Sequence, residues 1–166
     1  MTEQNIEVDK NDNVIGLRPR ADFYTGQYIH RSSHLILFNS KNEILIQKRA
    51  PTKKWYPNLY TYSTSGGVQE ESYEECIKRE MKEEIGILIP IKYLFKYSSF
   101  DKLDKAFRAV FIGESDNKIK PDKREMTEIK WIFADELKKD INKNPNKYTF
   151  PFLIGMKRYF SEFYKN

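Results

Sequence analysis

Three glutamates and an arginine near the middle of the chain have the types and spacing to do chemistry. Arg79, Glu80, Glu83 and Glu84 fall in a stretch whose ends are both marked. Ser72 and Glu75 have the spacing of a capping box and Gly86 supplies a left-handed stop, which predicts a helix over 73–85. At about 100° per residue the three glutamates lie within about 100° of one another, so their carboxylates share one helix edge. That edge borders the apolar stripe Ile77, Met81 and Ile85, while Glu75, Lys78 and Lys82 point to water. Crowded carboxylates repel unless a cation sits among them, and oxygen donors of this kind suit Mg²⁺, with Mn²⁺ as a substitute. Arg79, one turn before Glu83, is placed to orient it through a charge-assisted hydrogen bond. A solvated glutamate-rich face is the competing reading of the same residues.

The elements that must position this helix are readable in outline. Glu7-Val8-Asp9 and Val14-Ile15-Gly16 flank the polar turn 10–13 and predict a β-hairpin. A second hairpin is expected from the β-rich runs 34–38 and 44–47 around the turn 39–43. The segment 51–67 carries too much Pro and Gly for a helix and reads as a long loop with a short strand. Further strands are expected at 91–97, 106–112 and 129–133, a short helix after Ala134-Asp135, and a last helix from the stripe Phe152, Leu153, Met156, Tyr159, Phe160 and Phe163.

Composition narrows the class. A chain of 166 residues with 39% hydrophobic residues can bury one core, so a single domain over 1–166 is expected. Its longest apolar runs, such as 35–38 and 85–88, are far shorter than the ~20 residues a bilayer crossing needs. The first residues are acids and amides, unlike a secretory leader, so export is not expected. One cysteine, Cys76, rules out an internal disulfide or a multi-cysteine zinc site and fits the cytoplasm, where a buried thiol is the plain reading. The net charge of +5 favours anionic ligands without demanding nucleic acid.

Arg79-Glu80-Met81-Lys82-Glu83-Glu84-Ile85-Gly86-Ile87 fits R-E-U-x-E-E-x-G-U, with U apolar, and Glu71 stands eight residues before Arg79. This resembles the Nudix box, the loop-helix-loop motif of Nudix hydrolases. Average residue frequencies would give the nine-residue core by accident on the order of once in 10⁵ chains of this length. One departure is visible: the family's Gly six residues before the glutamate matched by Glu71 is Ser65 here, with Gly66 and Gly67 following and Glu70 where many members have Gly. The loop 66–71 is therefore at least one residue short.

The segments 30–39, 47–50 and 53–61 are similar to the N-terminal half of isopentenyl-diphosphate isomerases, and Tyr148-Thr149-Phe150-Pro151-Phe152 to their closing segment. In those enzymes a cysteine in a Cys-Gly-His stretch takes part in moving a proton. Here Ser65-Gly66-Gly67 replaces it, so the thiol becomes a hydroxyl of much higher pKa and a metal-binding histidine is lost. His30 alone matches one of that family's metal histidines.

The resemblance implies an α/β (α+β) Nudix fold, a mixed β-sheet sandwiched between helices. It implies a Mg²⁺-dependent hydrolase that cleaves a diphosphate linkage in a nucleoside diphosphate derivative or related organic pyrophosphate. Glu80, Glu83 and Glu84 would be metal ligands, one of them serving as base, with Arg79 in the catalytic set. Gly66, Gly67, Glu71 and Arg49 would support the site or touch substrate, and Glu125 would lie at its edge. Trp55, Tyr60, Tyr62, Phe100 and Arg108 are candidates to stack on a base or contact phosphate, with core or surface packing the default for each aromatic. The partner would be a small-molecule diphosphate, with no membrane and no nucleic acid, and a homodimer is compatible with it. Isomerisation, or nucleotide or RNA binding without turnover, are the other readings.

Overall fold

The computed structural model describes residues 2–165. Strand β3 (Ile29–Phe38) is its axis, because its apolar half is buried on both faces. Leu35 and Leu37 face Ile77, Met81 and Ile85, while Ile36 and Phe38 face Phe152, Met156 and Phe160. Alternation along one strand thus sorts the side chains into two cores. The first core is closed by α2 (Tyr73–Glu80) and the second by α3 (Ala134–Lys143) and α4 (Phe150–Glu162). The mixed sheet lies between helices, as the sequence resemblance implies.

Around β3 the sheet has nine strands. The predicted first hairpin is β1 (Gln4–Val8) and β2 (Val14–Pro19), paired antiparallel, and β1 also pairs with β3. A four-residue helix not foreseen in the sequence, α1 (Arg20–Phe23), follows and buries Phe23. The predicted second hairpin is only partly present. β3 meets β4 (Glu43–Arg49) at a single pair, Phe38↔Ile44, and the two strands then part.

The segment 60–67 fills the gap as two strands. β5 (Tyr60–Thr61) pairs with β4, and β6 (Thr64–Gly67) pairs with β3, so Gly66 and Gly67 are strand residues and not loop. Ser63 between them is the joint: its hydroxyl accepts from Leu37 N at 2.9 Å and donates to Leu45 O at 2.7 Å. Backbone groups that a simple hairpin would pair are thereby satisfied across the split. β3 runs parallel to β8 (Lys105–Glu114), which pairs with β7 (Lys92–Phe100), and β4 pairs with β9 (Met126–Phe133).

Both expected ends of the box helix are present. Ser72 Oγ accepts from Glu75 N at 3.1 Å and Glu75 Oε2 accepts from Ser72 N at 2.8 Å. The last turn, Met81–Ile85, widens to π-helical bonding before Gly86 stops it at φ +68°. On α4, Gly155 leaves space for the Tyr62 hydroxyl, which a Cβ would approach to 1.8 Å. No helix of the described residues is long and apolar enough to cross a membrane.

Asp12, at φ +65° in the β1–β2 turn, ties three elements together. Its carboxylate accepts from Arg31 Nε at 2.7 Å, Tyr73 Oη at 3.0 Å and Lys96 Nζ at 2.5 Å. Asp12→Ala removes a buried acceptor and leaves these donors unpaired, so about 2–3 kcal/mol of stability should be lost in denaturant titration. A loss below about 0.5 kcal/mol would mean that strand pairing alone holds the hairpin.

Candidate active site

The site begins where α2 crosses β6. A Cβ on Gly66 would fall 2.0 Å from Glu80 Oε1, so the absent side chain is what lets this carboxylate lie against the strand. Arg79 holds the arrangement. Its Nη2 donates to Glu71 Oε1 at 2.6 Å and to Gly67 O at 3.2 Å, and its Nε donates to Glu71 Oε2 at 3.1 Å. Its Nη1 donates to Glu80 Oε1 at 2.7 Å and, more weakly, to Glu83 Oε2 at 3.3 Å. The expected charge-assisted bond from Arg79 to Glu83 is present, and Glu71 and Glu80, which face the guanidinium from the buried side, hold it more closely.

The three glutamates are not equivalent. Glu80 and Glu84 are buried and share a side-chain hydrogen bond, and Gln47 Nε2 donates to Glu84 Oε2 at 3.2 Å. Burial pushes the Glu84 carboxyl well above the usual range, with the Glu80 charge adding to it. Burial also raises Glu80, against the pull of Arg79. Glu83 leaves this pair, its side chain 58% exposed. Among the described residues no three of His, Cys, Asp and Glu are grouped as a metal cage. The common edge read from helical spacing is present, since all three glutamates line one cavity, with two of them buried and Glu83 at its exposed side.

These groups open into a cavity of about 470 Å³ that Arg79, Gly66, Gly67, Arg49 and Glu125 also line. Glu71 stays behind Arg79, outside the lining. Arg49 donates from Nε to Trp55 O at 2.9 Å, and its terminal nitrogens have no partner among the described residues. Lys53 Nζ donates to Glu125 Oε2 at 2.5 Å, and Arg20 is held by Glu3 and Tyr24.

Of the aromatic candidates only Trp55 lines the cavity, stacked on His30 with centroids 4.9 Å apart. Tyr62 belongs to the core beside Tyr97, Tyr60 bonds Glu128, and Phe100 packs on Phe107. Arg108 is buried and committed internally: it donates to Asp104 Oδ2 at 2.5 Å, Ser99 Oγ at 2.6 Å and Ser32 Oγ at 3.1 Å. His30 is also internal, its Nε2 2.9 Å from Asp104 Oδ1. Burial alone would raise Asp104, but Arg108 and His30 outweigh it and hold the carboxyl well below its usual range. Cys76 is buried under Gly66 and Gly67, and burial, with Glu80 and Glu71 nearby, pushes its thiol up.

Sequence reasoning did not single out Ser32, His34, Gln47 or Lys53 as site residues. The available signal was the alternation His30, Ser32, His34 on one strand, which puts three polar side chains on one face.

The family model described as a NUDIX domain matches residues 29–152. The chain belongs to the Nudix family. A prenyl-diphosphate phosphatase of Methanosarcina mazei is 46% identical over 160 residues, 94% of each chain. An isopentenyl-diphosphate Delta-isomerase of Photorhabdus laumondii is 33% identical over 90% of this chain and 88% of its own. A crystal structure of a Deinococcus radiodurans protein superposes with a TM-score of 0.81 at 25% identity, over 94% of this chain and 98% of that one. A MutT protein of Methanosarcina mazei shares the fold at a TM-score of 0.72, over 82% of this chain and 96% of its own. This Nudix chain is a pyrophosphohydrolase that cleaves a diphosphate linkage, and the isomerase reading is the less supported one.

Two measurements follow from this geometry. Gly66→Ala should displace the Glu80 carboxylate and lower diphosphate hydrolysis by about tenfold or more with a small change in melting temperature. Unchanged turnover would show that Glu80 need not lie against β6. In chelator, Glu80 and Glu84 bind protons more tightly folded than unfolded, so their contribution to stability should grow as pH falls from above their raised folded-state range towards the ordinary carboxylate range. Glu84→Gln should flatten that rise, and an identical slope in the variant would contradict the raised carboxyl.

Proposed function

We propose that this Nudix hydrolase acts on prenyl diphosphates, cleaving the anhydride with water to give a prenyl monophosphate and orthophosphate. Support comes from near full-length similarity to a prenyl-diphosphate phosphatase. The observation that carries the reading is one cavity holding both the paired acids Glu80 and Glu84 and the unpartnered guanidinium end of Arg49. Acids suited to a cation and a cation free for an anion are the two halves of a diphosphate site.

The donor set fits a hard divalent cation. Glu80 and Glu84 offer oxygens only, and burial raises both carboxyls, so Mg²⁺, or Mn²⁺ in its place, would supply the positive charge that favours their ionised forms. Glu83 completes the set by turning in from its exposed position. Bound there, such a cation supplies positive charge to phosphoryl oxygens and lowers the pKa of bound water. The protein's own groups do the rest. Arg79, anchored by Glu71 and the Gly67 carbonyl, fixes Glu80. Ionised, Glu80 or Glu84 offers a carboxylate oxygen to take the proton of the attacking water. Arg49 hydrogen-bonds the phosphate, while Lys53, held by Glu125, adds charge at the edge.

Isomerisation is disfavoured by the Ser65 hydroxyl, whose pKa is far above that of a thiol, and by Gly67, which has no side chain to hold a proton or a metal. The reading takes residues 1–166 as one domain, in the cytoplasm, with a small-molecule diphosphate as its partner.

With Mg²⁺, isopentenyl and longer prenyl diphosphates should release orthophosphate and the monophosphate by mass, with no dimethylallyl product. Glu84→Gln should lower kcat/KM by about 100-fold or more. Arg79→Lys loses the planar fork shared by three acids and should cost about tenfold. Preference for nucleoside or dinucleotide substrates in the same assay would overturn the prenyl assignment.

A further inference from the structure

The floor of the cavity carries a feature that the metal and phosphate groups above do not use. His30, Ser32 and His34 share one face of β3, the face that α4 covers only from Ile36 onward. His34 is 5% exposed and its Nδ1 is one of two buried side-chain atoms without a hydrogen-bond partner among the described residues. Its Nε2 lies 2.7 Å from Ser32 Oγ.

The proton positions follow from the chain of partners. Arg108 can only donate, so Ser32 Oγ accepts from Arg108 Nη1. If His34 also donated to Ser32, both the serine hydroxyl proton and the His34 Nδ1 lone pair would be left unpaired. The alternative strands one group only: Ser32 donates to His34 Nε2, and the ring proton sits on Nδ1. Burial, with Arg108 nearby, holds the His34 pKa well below its usual value, so the ring is neutral and carries that single N–H. A buried, unpaired donor costs free energy until an acceptor reaches it.

The lining indicates which part of a substrate brings that acceptor. Among the described residues no Leu, Ile, Val, Met or Phe side chain lines the cavity, and its one large apolar surface is the half-buried Trp55 on the His30 ring. A hydrocarbon chain pushed to the floor would bury Ser32 and His34 against carbon. Resting on the reading of the chain as a diphosphate hydrolase, we infer that the substrate enters head-first. His34 Nδ1–H donates to a phosphate oxygen at the floor, and the organic group lies at the mouth against Trp55. His34 is then a substrate-binding residue, and the length of the organic chain is not limited by a closed apolar pocket.

Two measurements with Mg²⁺ present test this. Calorimetric binding of methylenediphosphonate should weaken about tenfold in His34→Phe, the size expected for a lost hydrogen bond to a charged group. It should stay within about threefold of wild type in His34→Asn, which keeps an N–H near the Nδ1 position. Should His34→Phe fail to fold, Ser32→Ala, which frees the ring proton to move to Nε2, should weaken binding by about threefold or more. In turnover, kcat/KM should vary by less than about tenfold across C5, C10, C15 and C20 diphosphates. Wild-type binding by His34→Phe, or by Ser32→Ala where the first variant does not fold, overturns the assignment, as does a fall above about 100-fold from C5 to C10. If no prenyl diphosphate is hydrolysed while methylenediphosphonate still depends on His34, the prenyl assignment fails and the head-first seating stands.

Discussion

The rest of the site depends on one guanidinium. Arg79 reaches Glu71, Glu80, Glu83 and the Gly67 carbonyl, so a single planar group links the approach to the box helix, the helix itself and strand β6. Burying carboxylates costs several kcal/mol each unless a partner of opposite charge is fixed beside them. Glu71 is pinned in turn by Gln69 N at 3.2 Å, so the guanidinium is held from one side while it holds Glu80 on the other. Glu84 receives no such help. It lies one turn on without a bond to Arg79, its carboxyl raised by burial and by the Glu80 charge, and it accepts from Gln47. The structure therefore stores an unfavourable electrostatic arrangement at one place and confines it with Arg79. Strain of this kind is expected where a ligand supplies the missing charge.

That arrangement needs a gap in the sheet, and the gap is created by β3 and β4 parting after one pair. Ser63 closes the point of divergence with two hydrogen bonds from one hydroxyl. Gln47 donates to Ser63 O at 3.2 Å and to Glu84 from the same nitrogen, so the joint of the split sheet and the buried acid share a partner. Fold and site are thus mechanically continuous. Substituting the joint would disturb Glu84 without touching it.

What was legible in the sequence follows the range of the interactions. The capping box, the Gly86 stop and the apolar stripe of α2 depend on neighbours within a few residues, and they stand as read. The β1–β2 turn is local in the same way: Asp9 Oδ1 accepts from Asn11 N and Asn13 N. Spacing pointed Arg79 forward to Glu83 but could not show that it also turns back to Glu71, eight residues earlier. Nor could it show that β6 takes the place of β4 beside β3, or that β3 has a parallel partner on its other edge, with Ile29 opposite Lys105. Arg108 was unreadable for the same reason: it passes for a phosphate ligand until Asp104, four residues earlier, and Ser32 from the parallel strand are seen to saturate it.

Charge placement explains why a basic chain need not have a basic site. Six acids and five cationic side chains line the cavity, although the whole chain carries +5. Most of those cations are spent on acids in place: Lys53 on Glu125, Arg124 on Asp122, Arg20 on Glu3. A diphosphate approaching this wall meets a field close to neutral, and long-range attraction falls away over about 8–10 Å in physiological salt. On the proposed reading, affinity for the head group would then come from short-range contacts and from a cation held by Glu80 and Glu84. On that reading the cavity's acids disfavour a diphosphate on its own, and a cation held by Glu80 and Glu84 would bring the charge that offsets them. Binding of the two would then be coupled, each raising the affinity for the other by the same factor.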